Sequence, residues 1–288
     1  MVQTINDLYM ELRRQFRAAD ISMGELEARE LVAFVTGSDK RKTADWGFRY
    51  LDPETIARAR AMAERRLNGE PLAYILGEWD FFGRTFTVNP HVLIPRSDTE
   101  PLCQLAIEDA KTLENPKILD LCCGSGCIGL TLAAEIPDAR VAAVDLSEEA
   151  LVVARENARR LGVTARYFTA CGDALGQPDE HLGTFDLLLC NPPYITAQEM
   201  TELDKSVVDF EPRMALYGGE DGLDFYRNIA RHWVKMMVPG GRMYFECGWH
   251  QAADVAKIFQ ARGMDDCFLA EDLSGIQRIV VVKAKEEV

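Results

Sequence analysis

Ile118-Leu119-Asp120-Leu121 runs straight into Cys122-Cys123-Gly124-Ser125-Gly126, and a helical pattern starts directly after it. The first four residues read as a strand that runs into the loop. Glycines at 124 and 126 let the backbone approach a ligand closely and leave helix N–H groups aimed at it. Strand and helix patterns alternate outward from this point to the end of the chain. Strands are expected near 117–121, 140–145, 165–169, 185–190 and 241–246, with a final pair near 265–271 and 276–283. Helices are expected near 127–135, 148–162, 222–237 and 250–261. Such alternation predicts an α/β fold with a doubly wound, mostly parallel sheet. No helix separates the last two strands, so they should pair antiparallel.

A second stretch sharpens the picture. The apolar run Leu187-Leu188-Leu189-Cys190 ends in Asn191-Pro192-Pro193-Tyr194. Two prolines stop a strand and stiffen the loop at its carboxyl end, the edge where open α/β sheets bind ligands. An Asn held there offers a carbonyl and an amide together, and Pro192 adds a main-chain carbonyl without a competing N–H. Tyr194 contributes a flat aromatic face. The set can grip a planar, nitrogen-bearing group such as an amide or a base amine.

The second expected strand ends at Asp145, where a carboxylate can accept both hydroxyls of a ribose. Gly172-Asp173-Ala174 ends the third, where an acid can meet an adenine amine. By themselves these residues leave alternatives open. Gly124, Gly126 and Gly129 also satisfy the dinucleotide pattern G-x-G-x-x-G, or a tight turn that binds nothing. Asp145 alone also suits a cap for the helix after Ser147. An NAD enzyme, however, has no evident use for Asn-Pro-Pro-Tyr after the fourth strand.

In combination the series matches a known order. The acid Asp120, the glycine loop, the ribose acid, the Gly-Asp turn and the tetrapeptide resemble the class I S-adenosylmethionine-dependent methyltransferases, which have a Rossmann-like, seven-stranded mostly parallel sheet. The tetrapeptide resembles the signature of those that act on planar nitrogen. More closely, the chain resembles the bacterial peptide chain release factor glutamine methyltransferases, the HemK/PrmC family of protein-(glutamine-N5) methyltransferases. The likeness is carried by Gly69 to Gly77, by Leu93-Ile94-Pro95-Arg96-Ser97-Asp98-Thr99-Glu100, by residues 120–126 and by Asn191 to Ile195. Glu211-Pro212, Asp221-Gly222 and Asp272-Leu273-Ser274-Gly275 complete it. Cys122 stands where many members carry a glycine, and Ser97 replaces a usual proline.

The resemblance implies S-adenosylmethionine as cofactor, with contacts from Asp120, Cys122, Cys123, Gly124, Ser125, Gly126, Asp145, Asp173, Ala174 and Asn191. It implies catalysis by Asn191, Pro192 and Tyr194, and substrate contacts from Asn191, Pro192, Pro193 and Tyr194. The implied substrate is the glutamine of the Gly-Gly-Gln motif in class 1 release factors, whose methylation modulates translation termination. A sister enzyme acting on a ribosomal protein shares the motif. A DNA adenine-N6 methyltransferase and a non-catalytic cofactor-binding module are more distant readings.

Bulk properties set the surroundings. The chain has 288 residues and a net charge of −14. Residues 1–76 balance 12 acids against 12 bases, leaving 34 acids and 20 bases for the rest. A domain that neutralises many phosphates needs the opposite sign, so no direct nucleic-acid partner is expected. No leader-like or membrane-spanning apolar run is present, so a cytoplasmic monomer without a membrane partner is expected. The eight cysteines suit reduced core thiols, and no second Cys/His pair at zinc spacing joins Cys122, Cys123 and Cys127, so no metal is expected. His91, His181, His232 and His250 lack a catalytic motif, while Glu246, Arg96 and Glu100 fall near the expected site.

The first seventy residues read as helical. Leu8, Leu12 and Phe16 recur at helical spacing, Ser22 and Glu25 form a capping box, and Asp52-Pro53 opens a helix ending at Asn68-Gly69. Three parts are expected: a helical substrate-recognition domain over 1–76, a hairpin connector over 77–92 turning at Gly83-Arg84, and a catalytic domain over 93–288. Asp98 or Thr99 should cap the helix that opens the last part.

Overall fold

The computed structural model describes residues 3–286. The chain divides into two compact units, one running to Gly77 and including Lys205–Phe210, the other formed by Glu78–Asp204 and the chain from Glu211 onward. In the first unit a two-residue strand pair, β1 (Gln3–Thr4) and β2 (Tyr50–Leu51), accompanies helices α1 (Ile5–Ala18), α2 (Gly24–Thr36), α3 (Pro53–Leu67) and α4 (Leu72–Leu76). Leu8, Leu12 and Phe16 are fully buried, as their spacing predicts. Asp52 caps α3 by accepting the Thr55 N–H at 2.8 Å. The capping box at Ser22 does not form: α2 starts at Gly24 with no side-chain cap. Glu25 instead pairs with Arg13 of α1 at 2.8 Å, an attraction between two helices that local spacing does not reveal.

The second unit opens with a hairpin, β3 (Glu78–Phe81) and β4 (Arg84–Thr87). Its turn is Phe82-Gly83, one residue before the expected position, and both residues take left-handed φ values of 48° and 70°. Two-residue hairpin turns demand that conformation, which an aromatic adopts only when held. Here the Phe82 N–H donates to Glu100 Oε1 at 2.8 Å. Nor is the hairpin a separate connector over 77–92, since Phe81 and Phe86 are buried in the core with Leu102 and Ile107.

Then follow α5 (Glu100–Ala110), β5 (Lys117–Leu121), α6 (Cys127–Glu135), β6 (Arg140–Asp145), α7 (Glu148–Arg160), β7 (Tyr167–Cys171) and β8 (Phe185–Cys190). The short α8 (Lys205–Val208) lies in the segment that groups with the first unit. After α9 (Asp224–Asn228), β9 (Met237–Glu246), α10 (Ala252–Gln260), β10 (Cys267–Glu271) and β11 (Gln277–Lys283) close the chain. The seven-stranded sheet has the order β10-β11-β9-β8-β5-β6-β7. Strands β5 to β9 pair in parallel, and β11 runs antiparallel between β9 and β10. Successive residues point to opposite faces. Ile118, Leu187 and Leu189 enter one core, while Leu119, Leu121, Leu188 and Cys190 enter the other.

Several boundaries differ from the sequence reading, three of them in ways the structure explains. β7 begins two residues late, since the Arg166 N–H closes a turn onto the Val163 carbonyl at 2.9 Å, while its guanidinium donates to the Ala133, Ile136 and Ala139 carbonyls around the end of α6. β9 begins four residues early and absorbs Pro239 and Gly240 by a register shift against β8. The helix expected over 222–237 keeps α geometry only to Asn228, then widens into a π-type turn over Ile229–Trp233 and tightens over Val234–Met236. Among the described residues no helix is long and apolar enough to cross a membrane.

Asn157 of α7, fully buried, ties the hairpin to the sheet. Its Oδ1 accepts the Thr87 N–H at 2.7 Å, and its Nδ2 donates to the carbonyls of Thr87 and Ser125 at 3.0 and 2.9 Å. Replacing it by Ala strands three main-chain groups without water. Asn157→Ala should therefore lower the unfolding free energy by roughly 2–4 kcal/mol, a loss readable by urea denaturation.

Candidate functional site

A cavity of about 360 Å³ opens at the carboxyl ends of the parallel strands. Of the residues singled out from the sequence, Cys122, Cys123, Gly124, Ser125, Asp145, Asp173, Ala174, Asn191 and Pro193 line it. Asp120, Gly126 and Pro192 do not. Tyr194 faces a second depression, lined also by Trp79, Asp98, Glu246 and Arg278, and Pro95 and Arg96 border both.

The loop after β5 takes its shape from local hydrogen bonds. Asp145 Oδ2 accepts the Gly124 N–H at 2.8 Å, and its Oδ1 accepts the Ser147 N–H at 3.0 Å. Each carboxylate oxygen has two lone-pair directions, so capacity remains for a ligand. The ribose-acid and turn-stabilising readings of Asp145 are thus compatible. Burial holds its carboxyl above the ordinary range, against the pull of those N–H donors. Cys122 sits at φ 60°, the left-handed region, at a cost of roughly 1–2 kcal/mol for a residue with a Cβ. Gly124 faces open space, with no atom within 4 Å of where a Cβ would stand.

Asp120 lies beneath this loop rather than in the cavity. It is fully buried, and its Oδ2 accepts the Gly129 N–H at 2.9 Å. Its other oxygen has no partner among the described residues. The bond consumes one N–H at the start of α6, as Asp145 consumes that of Gly124. A pyrophosphate would need such donors together with positive charge. The cavity instead carries Asp145, Asp173 and Asp224 against Arg96 and His91. Leu146 and Leu175, 54% and 46% exposed, add apolar surface at its wall. This donor set fits a cationic ligand with a ribose and a planar base better than a dinucleotide. Among the described residues no group of three or more His, Cys, Asp or Glu is placed to hold a metal ion.

The Asn-Pro-Pro-Tyr loop is braced from several sides. Gln251 Nε2 donates to the Tyr194 carbonyl at 3.0 Å, and the Ile195 N–H donates to the Leu216 carbonyl at 2.9 Å. Gly218 lies so close that a Cβ there would come within 2.5 Å of the Pro193 carbonyl oxygen. The Arg96 guanidinium pairs with the buried Glu211, which also accepts the Ile94 N–H at 3.1 Å. Two distant runs quoted from the sequence thereby meet as one wall. Asp272 folds its own turn by accepting the Ser274 and Ile276 N–H groups, and lies 2.8 Å from Arg278 Nε.

At the centre is Glu246, at the end of β9 and 2% exposed. Its Oε2 accepts the Thr99 hydroxyl at 2.5 Å, and its Oε1 accepts the Tyr194 hydroxyl at 3.3 Å. Burial raises its affinity for a proton, while Thr99, Tyr194 and Arg278 favour the charge. Burial and the neighbouring Glu246 charge push the Tyr194 hydroxyl well above the ordinary tyrosine range, so it stays protonated. Asn191 Nδ2 lies 3.5 Å from Thr99 Oγ1. Neither Thr99 nor Asp98 caps α5, contrary to the sequence expectation; Thr99 spends its hydroxyl on Glu246 instead. Thr99 is thus a site residue to which the sequence reading gave no role beyond a cap and a place in a family run. Of the histidines, His91 alone lines the cavity, and His250 lies against Trp249 with the two rings tilted by 36°.

Comparison with known proteins places this geometry among relatives. Residues 7–77 match the family described as PrmC N-terminal domain, and residues 101–210 match the methyltransferase small domain. A release factor glutamine methyltransferase of Geobacter sulfurreducens is 42% identical over 232 residues, covering 80% of this chain and 79% of the relative. Another, from Koribacter versatilis, is 35% identical over 278 residues, covering 96% and 98%. Among solved structures, a methyltransferase from Pyrococcus furiosus superposes with a TM-score of 0.50 at 16% identity, covering 77% of this chain and 97% of that one. That likeness is one of fold.

The Asp120 environment predicts a pH effect on stability. Burial pushes its carboxyl from 3.8 up to about 7. A raised carboxyl favours folding below its unfolded value, and that contribution is lost as pH rises through the folded one. Stability should therefore fall between about pH 4 and 7, by at most roughly 4 kcal/mol from this group. Asp120→Asn should flatten that slope in urea titrations at stepped pH, and an unchanged slope would refute the assignment.

Proposed function

The chain belongs to the release factor glutamine methyltransferases, and on that premise we propose that it transfers a methyl group from S-adenosylmethionine to the side-chain nitrogen of a release factor glutamine. The Gly-Gly-Gln glutamine of class 1 release factors is the intended acceptor. The observation that carries the reading is the rigid Asn-Pro-Pro-Tyr corner beside an acidic, apolar-walled cavity at the sheet edge.

Cys122 to Ser125, Asp145, Asp173 and Ala174 would hold the cofactor, with Asn191 at its border and Asp120 and Gly126 supporting the loop from below. When bound, S-adenosylmethionine supplies an electrophilic methyl on a positively charged sulfur. An amide nitrogen is a poor nucleophile because its lone pair is delocalised into the carbonyl, so positioning matters more than acid–base strength. The Asn191 side-chain oxygen and the Pro192 carbonyl accept the two amide hydrogens. Those bonds orient the nitrogen and favour lone-pair development in the transition state. Tyr194 packs on the amide plane, its hydroxyl held by Glu246. Once alkylated, the nitrogen would be strongly acidic and would lose its proton to water without a dedicated base.

The substrate is a protein, and the acidic balance of the chain supports action away from nucleic acid. The helical unit serves substrate recognition, and the enzyme works as a cytoplasmic monomer. Mass spectrometry of a release factor glutamine, with and without the enzyme, tests the activity. A gain of one methyl on that residue is expected; methylation of a ribosomal protein alone would overturn the substrate. Asn191→Ala should lower kcat by about 100-fold or more, while calorimetric cofactor affinity changes by less than about threefold. Equal losses in both would contradict the role given to Asn191.

A further inference from the structure

Asparagine at position 191 can face a substrate with either its oxygen or its nitrogen, and only the oxygen can hold an amide hydrogen. Taking the glutamine reading above as its basis, we infer that Thr99 and Glu246 are positioning residues that fix which way Asn191 faces, making the site accept a carboxamide and reject a carboxylate.

Three facing atoms set the direction. The Glu246 carboxylate is buried, and when ionised it can only accept. A hydroxyl has one hydrogen, and that of Thr99 is committed to Glu246 Oε2 at 2.5 Å. Thr99 Oγ1 therefore meets Asn191 as an acceptor, and it faces Nδ2 at 3.5 Å. The reversed rotamer would set Asn191 Oδ1 against oxygen lone pairs with no hydrogen between them. Asn191 Oδ1 is thus left to receive a donor.

The other end of the tetrapeptide obeys the same carboxylate, since the Tyr194 hydroxyl donates to Glu246 Oε1 at 3.3 Å. The remaining charged neighbours are Asp98 and Arg278, with Arg96 on the same depression. A glutamate in place of the substrate glutamine brings no hydrogen to Asn191 Oδ1 or to the Pro192 carbonyl. A site built to accept hydrogen bonds strongly disfavours a ligand that donates none. The relay therefore distinguishes glutamine from its deamidated form.

The test uses the full-length enzyme with a release factor as substrate and the same release factor carrying glutamate at that position as competitor. The rest of the protein surface is common to both, so the ratio of inhibition constant to KM reports the side-chain pocket. In Thr99→Val that ratio should fall by about tenfold or more, because Asn191 is freed to present its NH2. Turnover should fall as well, with cofactor affinity held within about twofold. Thr99→Ser, which keeps the hydroxyl, should restore both ratio and turnover. Thr99→Ala gives the same readout should Thr99→Val not fold. Weakening of both ligands with an unchanged ratio, or failure of Thr99→Ser to restore it, would overturn the relay alone. Absence of methyl transfer by the unaltered enzyme would instead overturn the functional reading beneath it.

Discussion

A carboxylate removed from water persists only where hydrogen bonds replace its hydration, and Glu246 satisfies that condition with groups from separate parts of the chain. The Thr99 hydroxyl arrives from the segment before α5, the Tyr194 hydroxyl from the loop after β8, and Arg278 lies nearby on β11. The Tyr226 hydroxyl donates to the Glu246 main-chain carbonyl at 2.7 Å, anchoring the strand end itself. Each donor is obligatory in the sense that losing it leaves a buried charge less compensated. The tetrapeptide inherits its rigidity from this requirement as much as from its prolines.

A second layer of constraint surrounds the first. Glu211, also buried, holds Arg96 and the Ile94 N–H, so the wall between the two depressions is fixed by another carboxylate. Gln251 reaches both the Tyr194 and Asp221 carbonyls, and Gly218 fits where no Cβ has room. Asp145 at the cavity wall takes an N–H of the glycine loop, and Asp120 beneath it takes one at the start of α6, both for internal use. The same loop sequence that suggests a phosphate cradle is converted by its own acids into a support for a different ligand.

What could be read locally was read well where one force dominates. Apolar runs place every strand of the large sheet within a few residues, most closely the central β5 and β8, where burial on two faces leaves a continuous hydrophobic signature. Errors fell where a side chain had two possible partners. Glu25 suits a capping box by spacing but pairs with Arg13. Arg166 looks like part of a strand, but its N–H closes a turn onto Val163 and its guanidinium serves the end of α6. Phe82 would not be assigned a left-handed turn from its chemistry, and Glu100 and the core hold it there.

The residues that line the cavity are largely legible from the chain, since glycines, acids and prolines at strand ends advertise themselves by what they do to backbone. Their relations are not. Thr99 and Asn191 are 92 positions apart, and Thr99 and Glu246 are 147 apart. No periodicity encodes such a meeting, because it depends on which strand lies beside which. Sequence by itself determined the architecture and the donor and acceptor chemistry at the sheet edge. Tertiary structure alone decided that one buried carboxylate would face Thr99 and Tyr194 together, for only the assembled sheet excludes the water that would otherwise satisfy each group separately.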